Sequence, residues 1–404
     1  VAERAYFSAQ NPSHFSMIDC QKALFSLPPD VHYLNAATMS PNLRAVEAAG
    51  MEGIRTKSQP YQITQETFFE VMEPIKPLFA NLLNAPDPQR VALIPSVSYG
   101  MATVAKNLKA RPGQRVVMVE GEFPSDVFAW EPTGRAQGLE TVVVHAPGGQ
   151  ERGRRWNERL LDAITPGTAL VVLSPVHWAD GTLFDCEAVG QRCREVGAWL
   201  VIDGTQTLGS MPLDIQRIRP DAVVAGGYKG LMGPYSQGLA WFGEAFDEGS
   251  PLEENWINRA GSENFRNLMA YRREYRPGAA RYSMGEQSNF ILLPMLRAAL
   301  EQLLDWTPEG IQGYCRNLIA PFVPEWEKLG FWLENEAFRA SHLFGLRPPV
   351  GLDADALREE LLRRRVYVSV RGEVIRVSPH VYNDEADVAA LTEALAVARV
   401  GGGA

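Results

Sequence analysis

Between about residues 90 and 242, short apolar runs alternate with stretches of helical periodicity, and this alternation restricts the fold more than any other feature. The runs are residues 90–94, 115–119, 141–144, 169–173, 198–202, 221–225 and 238–242. Each is bounded by glycine, proline or other turn residues, as buried strands are. Helical patterns fill the gaps at 101–109, 125–137, 159–164 and 186–196. Strands alternating with helices predict an α/β fold built on a large, doubly wound, mainly parallel sheet. Ahead of this region, 43–53 reads as a helix, and 67–83 as a helix interrupted by Pro74 and Pro77.

The rhythm changes after about residue 245. Residues 251–285 are polar and irregular, and a stretch of that length is usually functional or packed on a partner. Helices are predicted at 291–306, 310–329, 353–365 and 384–398, with strands at 366–370 and 374–377. The expected organisation is an N-terminal arm over 1–32, a large domain over 33–285 and a smaller C-terminal α+β domain over 286–404, ending in a frayed tail at 401–404. Within the arm, 1–16 reads as a tag or a disordered piece without a secretory apolar core.

With 404 residues, 46% apolar content and 22% charge, the composition is that of an ordinary globular enzyme. A net charge of −9 disfavours nucleic acid and anionic membranes as partners. Cys20, Cys186, Cys193 and Cys315 form no C-x-x-C and no zinc spacing, so no metal site is expected and a reducing, cytoplasmic setting is. No glycine-rich dinucleotide loop, phosphate loop, zinc-protease motif or nucleophile elbow occurs.

Two polar residues stand just past predicted strand ends, where open α/β sheets bind ligands: Asp203 after 198–202, and Lys229 within Gly226-Gly227-Tyr228-Lys229-Gly230. Alone, the first reads as a turn former and the second as a solvated lysine. Together they suit pyridoxal 5'-phosphate (PLP), which needs an amine for its Schiff base and a carboxylate for its ring nitrogen. The predicted turn at 95–100, opening a helix at 101, is a candidate anion site.

The order of these motifs resembles the class V branch of fold-type I PLP enzymes, which includes cysteine desulfurases, kynureninase, isopenicillin N epimerase and some aminotransferases. The likeness covers roughly residues 30–395. It implies an amino-acid substrate, an external aldimine and carbanion intermediate, and a homodimer with its active site at the subunit interface. By resemblance, Lys229 carries the cofactor and Asp203 holds its ring proton. Ser96, Ser98 and Tyr99 lie where the family binds phosphate. Phe123 and Asp126, in a kynureninase-like Phe-Pro-Ser-Asp, stack on and flank the cofactor. Ser174, Trp178 and Gln206 lie beside the ring, and Tyr228 reaches the phosphate. Ser288 and Asn289 reach the neighbouring subunit's phosphate, while Arg376 and Asn35 bind substrate, Arg376 through its α-carboxylate. As isolated residues, Phe123 and Trp178 read more often as core than as stacking partners, His177 also as a satisfied buried histidine and Arg376 also as a surface charge on an edge strand. Trp256 is a weaker candidate for the substrate pocket. No cysteine stands at 361–372, where a desulfurase carries its nucleophile, so lyase-type or aminotransferase chemistry is expected and no cysteine is expected to be catalytic. An epimerase and a PLP-fold protein without turnover are the alternatives.

Overall fold

The computed structural model describes residues 18–401; the expected tag or disordered piece at 1–16 and the last three residues of the expected tail lie outside them. The strands are β1 (His32–Tyr33), β2 (Val91–Ile94), β3 (Arg115–Val119), β4 (Glu140–Val144), β5 (Thr168–Leu173), β6 (Trp199–Asp203), β7 (Ala222–Gly226), β8 (Gly238–Phe242), β9 (Phe344–Leu346), β10 (Val366–Tyr367), β11 (Ser369–Arg371) and β12 (Val374–Val377).

Seven strands form one sheet in the order β2-β8-β7-β6-β5-β3-β4. Neighbours from β4 to β7 are parallel, whereas β8 is antiparallel to both β7 and β2. Strand β2 therefore points the same way as β7, and only β8 runs against the rest. The carboxyl ends of β2, β3, β5, β6 and β7 consequently share one rim. Strand alternation splits the core: Val117, Val171, Ile202 and Val223 pack on one face, and Val116, Val172, Val201 and Val224 on the other. Both faces are covered, which is why these strands read as continuous apolar runs rather than alternating ones.

A three-stranded antiparallel sheet, β11-β12-β9, lies in the C-terminal part, over a core that includes Trp326, Phe344, Ile375 and Leu391. Strand β1 pairs in parallel with β10, and Asn35 bridges Ser378. Residues 32–35 are thereby held against the C-terminal part of the chain.

Several predicted elements differ in detail. The helix expected from Met101 begins at Val97, because the Ser96 hydroxyl accepts the Tyr99 N–H and caps it. The helix expected over 125–137 is two, Pro124–Phe128 and Trp130–Gln137. The stretch 67–83 breaks at Pro74 into Thr67–Glu70 and Ile75–Leu82, and 310–329 divides into Pro308–Ile319 and Val323–Lys328. The strand expected over 366–370 is divided between β10 and β11, and β12 is the central strand of its sheet rather than an edge. Gly401, expected in the tail, is the last residue of the helix Glu385–Gly401. No described helix is long and apolar enough to cross a membrane.

Candidate active site

The rim encloses a cavity of about 340 Å³, within the range of small-molecule sites. Its walls come from five strand ends: Ser96 and Ser98 after β2, Phe123 and Ser125 after β3, Ser174 and Trp178 after β5, Asp203 at the end of β6 with Gln206 beyond it, and Tyr228 and Lys229 after β7.

Lys229 is 7% exposed. Burial pulls its ammonium down to about 8; Asp203 and Asp126 oppose that shift, and Arg376 and Arg371 add to it. Its Nζ lies 5.1 Å from the Phe123 ring centre and 5.4 Å from that of Tyr228. Ser40 fixes the local backbone by donating its hydroxyl to the Lys229 carbonyl at 2.8 Å and its N–H to the Tyr228 carbonyl at 3.1 Å. Asp203 accepts the Thr205 N–H at 2.8 Å, and the Thr205 hydroxyl accepts the Gly226 N–H at 3.0 Å, which ties the ends of β6 and β7 together.

At the end of β2, the Ser96 and Ser98 hydroxyls lie 2.9 Å apart. Val97 and Ser98 both line the cavity as first-turn residues of the helix Val97–Asn107, so their N–H groups have no intrahelical partner. Tyr99 turns out of the cavity lining. Burial and the Glu253 carboxylate push its phenol up.

Asp126 is fully buried, and its carboxyl is pushed well above the usual range by burial first, then by the charges of Asp203 and Glu122. Glu122, a residue without an assigned role in the sequence, is also raised, chiefly by burial. It accepts the Ser174 hydroxyl at 2.6 Å, and its second oxygen is buried without a partner. Only the fold could disclose this carboxyl group, because its raised proton affinity depends on neighbours from β5 and β6.

On the other side, the Phe123 and Trp178 rings meet edge-to-face with centroids 5.5 Å apart. Both are half-buried and line the cavity rather than the core. Trp178 donates its indole N–H to the Gly121 carbonyl at 2.7 Å. Beneath it, His177 contacts Asp180 at 3.0 Å and the Glu120 carbonyl at 3.2 Å, so it is a buried, satisfied histidine. Arg376 is 1% exposed, which excludes the surface-charge reading. It donates to the Trp178 carbonyl at 2.8 Å and to the Thr38 hydroxyl at 2.6 Å, and its Nε is buried without a partner. Asn35 accepts the Thr38 and Ser369 hydroxyls, each at 2.8 Å, and neither it nor Arg376 is in the cavity lining; Arg376 lies behind Trp178, which is. Gln206 donates to the Ala37 carbonyl at 3.0 Å.

The fold does not bring Ser288, Asn289 or Trp256 to this cavity within the chain. Ser288 donates to the Phe68 carbonyl, and Asn289 accepts the Ile291 and Leu292 N–H groups at the start of a helix. Trp256 packs with Phe68, Phe69 and Phe265. The cavity lining also includes Thr205, Tyr235, Ser236 and Gln237, none of which the sequence singled out as site residues. Cys186, Cys193 and Cys315 are buried with raised thiols, that of Cys193 at about 12.

Residues 32–257 match the family described as Aminotransferase class-V. An uncharacterized aminotransferase, YcbU, of Bacillus subtilis is 26% identical, over 77% of this chain and 79% of its own. The isopenicillin N epimerase of Amycolatopsis lactamdurans is 26% identical, over 92% of this chain and 96% of its own. Among solved structures, the Escherichia coli cysteine desulfurase CsdA superposes with a TM-score of 0.77 at 18% identity, covering 93% of this chain and 97% of that one.

Proposed function

We propose, on the premise that the chain belongs to the class-V aminotransferase family, that it is a PLP-dependent enzyme acting on an α-amino acid, with Lys229 as the cofactor-bonded residue. The observation that carries this reading is a buried lysine whose amine is depressed to about 8, lining one cavity with the Asp203 carboxylate.

The residues present fit the cofactor. Lys229 supplies the amine and Asp203 a carboxylate for a ring nitrogen. The Ser96 and Ser98 hydroxyls, with the free N–H groups of the first helical turn, make a cradle for phosphate. Phe123 and Trp178 supply aromatic walls. When bound, PLP provides an electron sink for the charge left when a bond to the substrate's α-carbon breaks. Lys229 is kept partly neutral near pH 8 and so both attacks a carbonyl and carries a proton at Nζ. Burial, then the Asp203 charge, raise the Asp126 carboxyl well above its usual range, which favours its protonated form. Arg376 meets the substrate α-carboxylate with a planar fork.

Lyase-type chemistry, as in a kynureninase, and transamination are the reactions this site serves best. The absence of cysteine from 361–372 and the burial of three of the four thiols count against desulfuration. Epimerisation is a second reading, favoured by the near full-length likeness to an isopenicillin N epimerase. A reducing, cytoplasmic setting accords with four unpaired cysteines. The working form is a homodimer, supported by exposed apolar side chains on the irregular stretch 251–285, Met269 at 87% and Tyr271 at 90%. Sedimentation should give twice the chain mass; a monomer at micromolar concentration refutes the dimer.

The test of the main reading is borohydride reduction of the protein with PLP, followed by peptide mapping. The adduct should lie on Lys229, vanish in Lys229→Ala, and form faster as pH rises through about 8. An adduct on another lysine overturns the assignment.

A further inference from the structure

The hairpin of β11 and β12 carries a second arginine that the proposed chemistry leaves unused. Its register pairs Ser369 with Arg376 and Arg371 with Val374. Paired residues of an antiparallel ladder share a face, and so do residues two apart. Arg371 and Arg376 therefore project from the same face of the hairpin.

That face looks onto Trp178. The Arg371 and Arg376 guanidinium carbons lie 5.7 Å and 5.9 Å from the indole ring centre. The groups run in order from Lys229 past Phe123 to Trp178 and then to the two arginines. The charges of both arginines also reach Lys229.

Neither cation is neutralised. The hydrogen bonds of Arg376 go to a carbonyl and a hydroxyl, and that of Arg371 to its neighbour Val370's carbonyl at 3.0 Å. Among the described residues, no carboxylate lies within ion-pair distance of either. Their mutual repulsion is part of what pulls Arg376 down to about 10, after burial. One substrate carboxylate accounts for the buried Arg376, while the half-buried Arg371, bonded only to the Val370 carbonyl, is open to a further anion on the same face.

We propose that Arg371 binds a second anionic group on the substrate, so that this site takes an acidic, dicarboxylic type of amino acid gripped by Arg376 at one carboxylate and Arg371 at the other. This rests on the reading of Arg376 as the α-carboxylate clamp. A charge-assisted hydrogen bond contributes about 1.5–3 kcal/mol net, which is about tenfold or more in affinity.

The test uses the PLP-loaded full chain and unreactive ligands without an amine, titrated calorimetrically. Succinate and glutarate are compared with butyrate and valerate. Wild type should bind the dicarboxylates at least about tenfold more tightly. In Arg371→Ala that preference should collapse to within about twofold, and Arg371→Lys should restore part of it, since a point charge lacks the fork. Arg376→Ala should weaken both ligand classes. Thermal melting of each variant confirms that the hairpin still folds. A wild-type preference below about twofold, no detectable binding of either class, or a preference that survives in Arg371→Ala overturns the proposal. Reduction with borohydride on the same preparations separates the two readings. Loss of the Lys229 adduct counts against PLP chemistry, whereas an intact adduct without dicarboxylate preference counts against Arg371 alone.

Discussion

The turn after β5 and the turn after β3 both bury carboxyl groups beneath the same cavity, but they neutralise them by opposite means. After β5, Asp180 lies 3.0 Å from His177, 3.0 Å from Arg152 and 3.3 Å from Arg347. Although burial alone would raise it, the His177 and Arg152 charges hold its carboxyl below the usual range. His177 is raised in return, against its own burial. After β3, Glu122 and Asp126 are neighbours of the Asp203 carboxylate and both are raised, chiefly by burial, which favours their neutral forms. One turn is a set of paired opposite charges that holds its shape. The other holds two carboxyl groups of raised proton affinity beside the proposed ring site.

The largest expected effect of this contrast is on stability. Asp180 also accepts the Thr182 hydroxyl at 2.8 Å, and Gly181, at φ 74°, lies so close to Leu343 that a Cβ there would stand 2.0 Å from its carbonyl oxygen. The turn is therefore clamped on both sides. Asp180→Ala leaves Arg152 and His177 buried without their anion and should cost about 3–5 kcal/mol. Urea denaturation measures the loss, and 15N NMR of the imidazoles supplies the electrostatic signature. With Asp180 gone, burial and Arg152 both disfavour the imidazolium, so the His177 titration should fall. In wild type, the His177 contribution is present below the ordinary 6.5 and is lost as pH rises through its raised value. The Asp180 contribution is present above 3.8 and is lost as pH falls through its depressed value. A loss below 1 kcal/mol with an unmoved His177 would mean that the turn is held by packing instead.

The same contrast explains what could be read from sequence. The strand-end positions of Lys229 and Asp203 were legible because each follows an apolar run whose end is marked by local chemistry, glycines in one case and a turn in the other. The parallel sheet was legible for the same reason. The start of the helix at Val97 was missed because the cap is a side-chain bond from Ser96 to the Tyr99 N–H, which needs coordinates to recognise. One consequence is that Ser98 lines the cavity while Tyr99, the next residue around the turn, points elsewhere. Arg371 was missed because β10 pairs with β1 across the length of the chain, His32 opposite Val366, and no local pattern marks where that pairing stops and β11 begins. Glu122 carries no role by sequence, because its proton affinity is a property of the assembled site.

The smallest expected effect, and the one that tests the raised-carboxyl half of the comparison, belongs to Glu122→Gln. An ionised Glu122 paired with protonated His177 would be a structural anion like Asp180, and removing its charge would cost several kcal/mol. A protonated Glu122 is already neutral, and glutamine reproduces its shape and the oxygen that accepts the Ser174 hydroxyl at 2.6 Å. Burial, the leading influence on this group, favours the second state. The sign follows from the raised carboxyl. Its contribution is fully present below the unfolded value of 4.5 and is lost as pH rises through the folded one, because the folded state then gives up a proton reluctantly. Glutamine has no proton to lose, so the variant escapes that penalty. Glu122→Gln should therefore lie within about 1 kcal/mol of wild type at pH 5, an ordinary value for a near-isosteric change, and should gain relative to wild type at pH 8. Urea midpoints of both proteins at the two pH values measure this. A loss above about 2 kcal/mol at both, or a variant that falls further behind at pH 8, would make Glu122 a second paired anion and erase the distinction between the two turns.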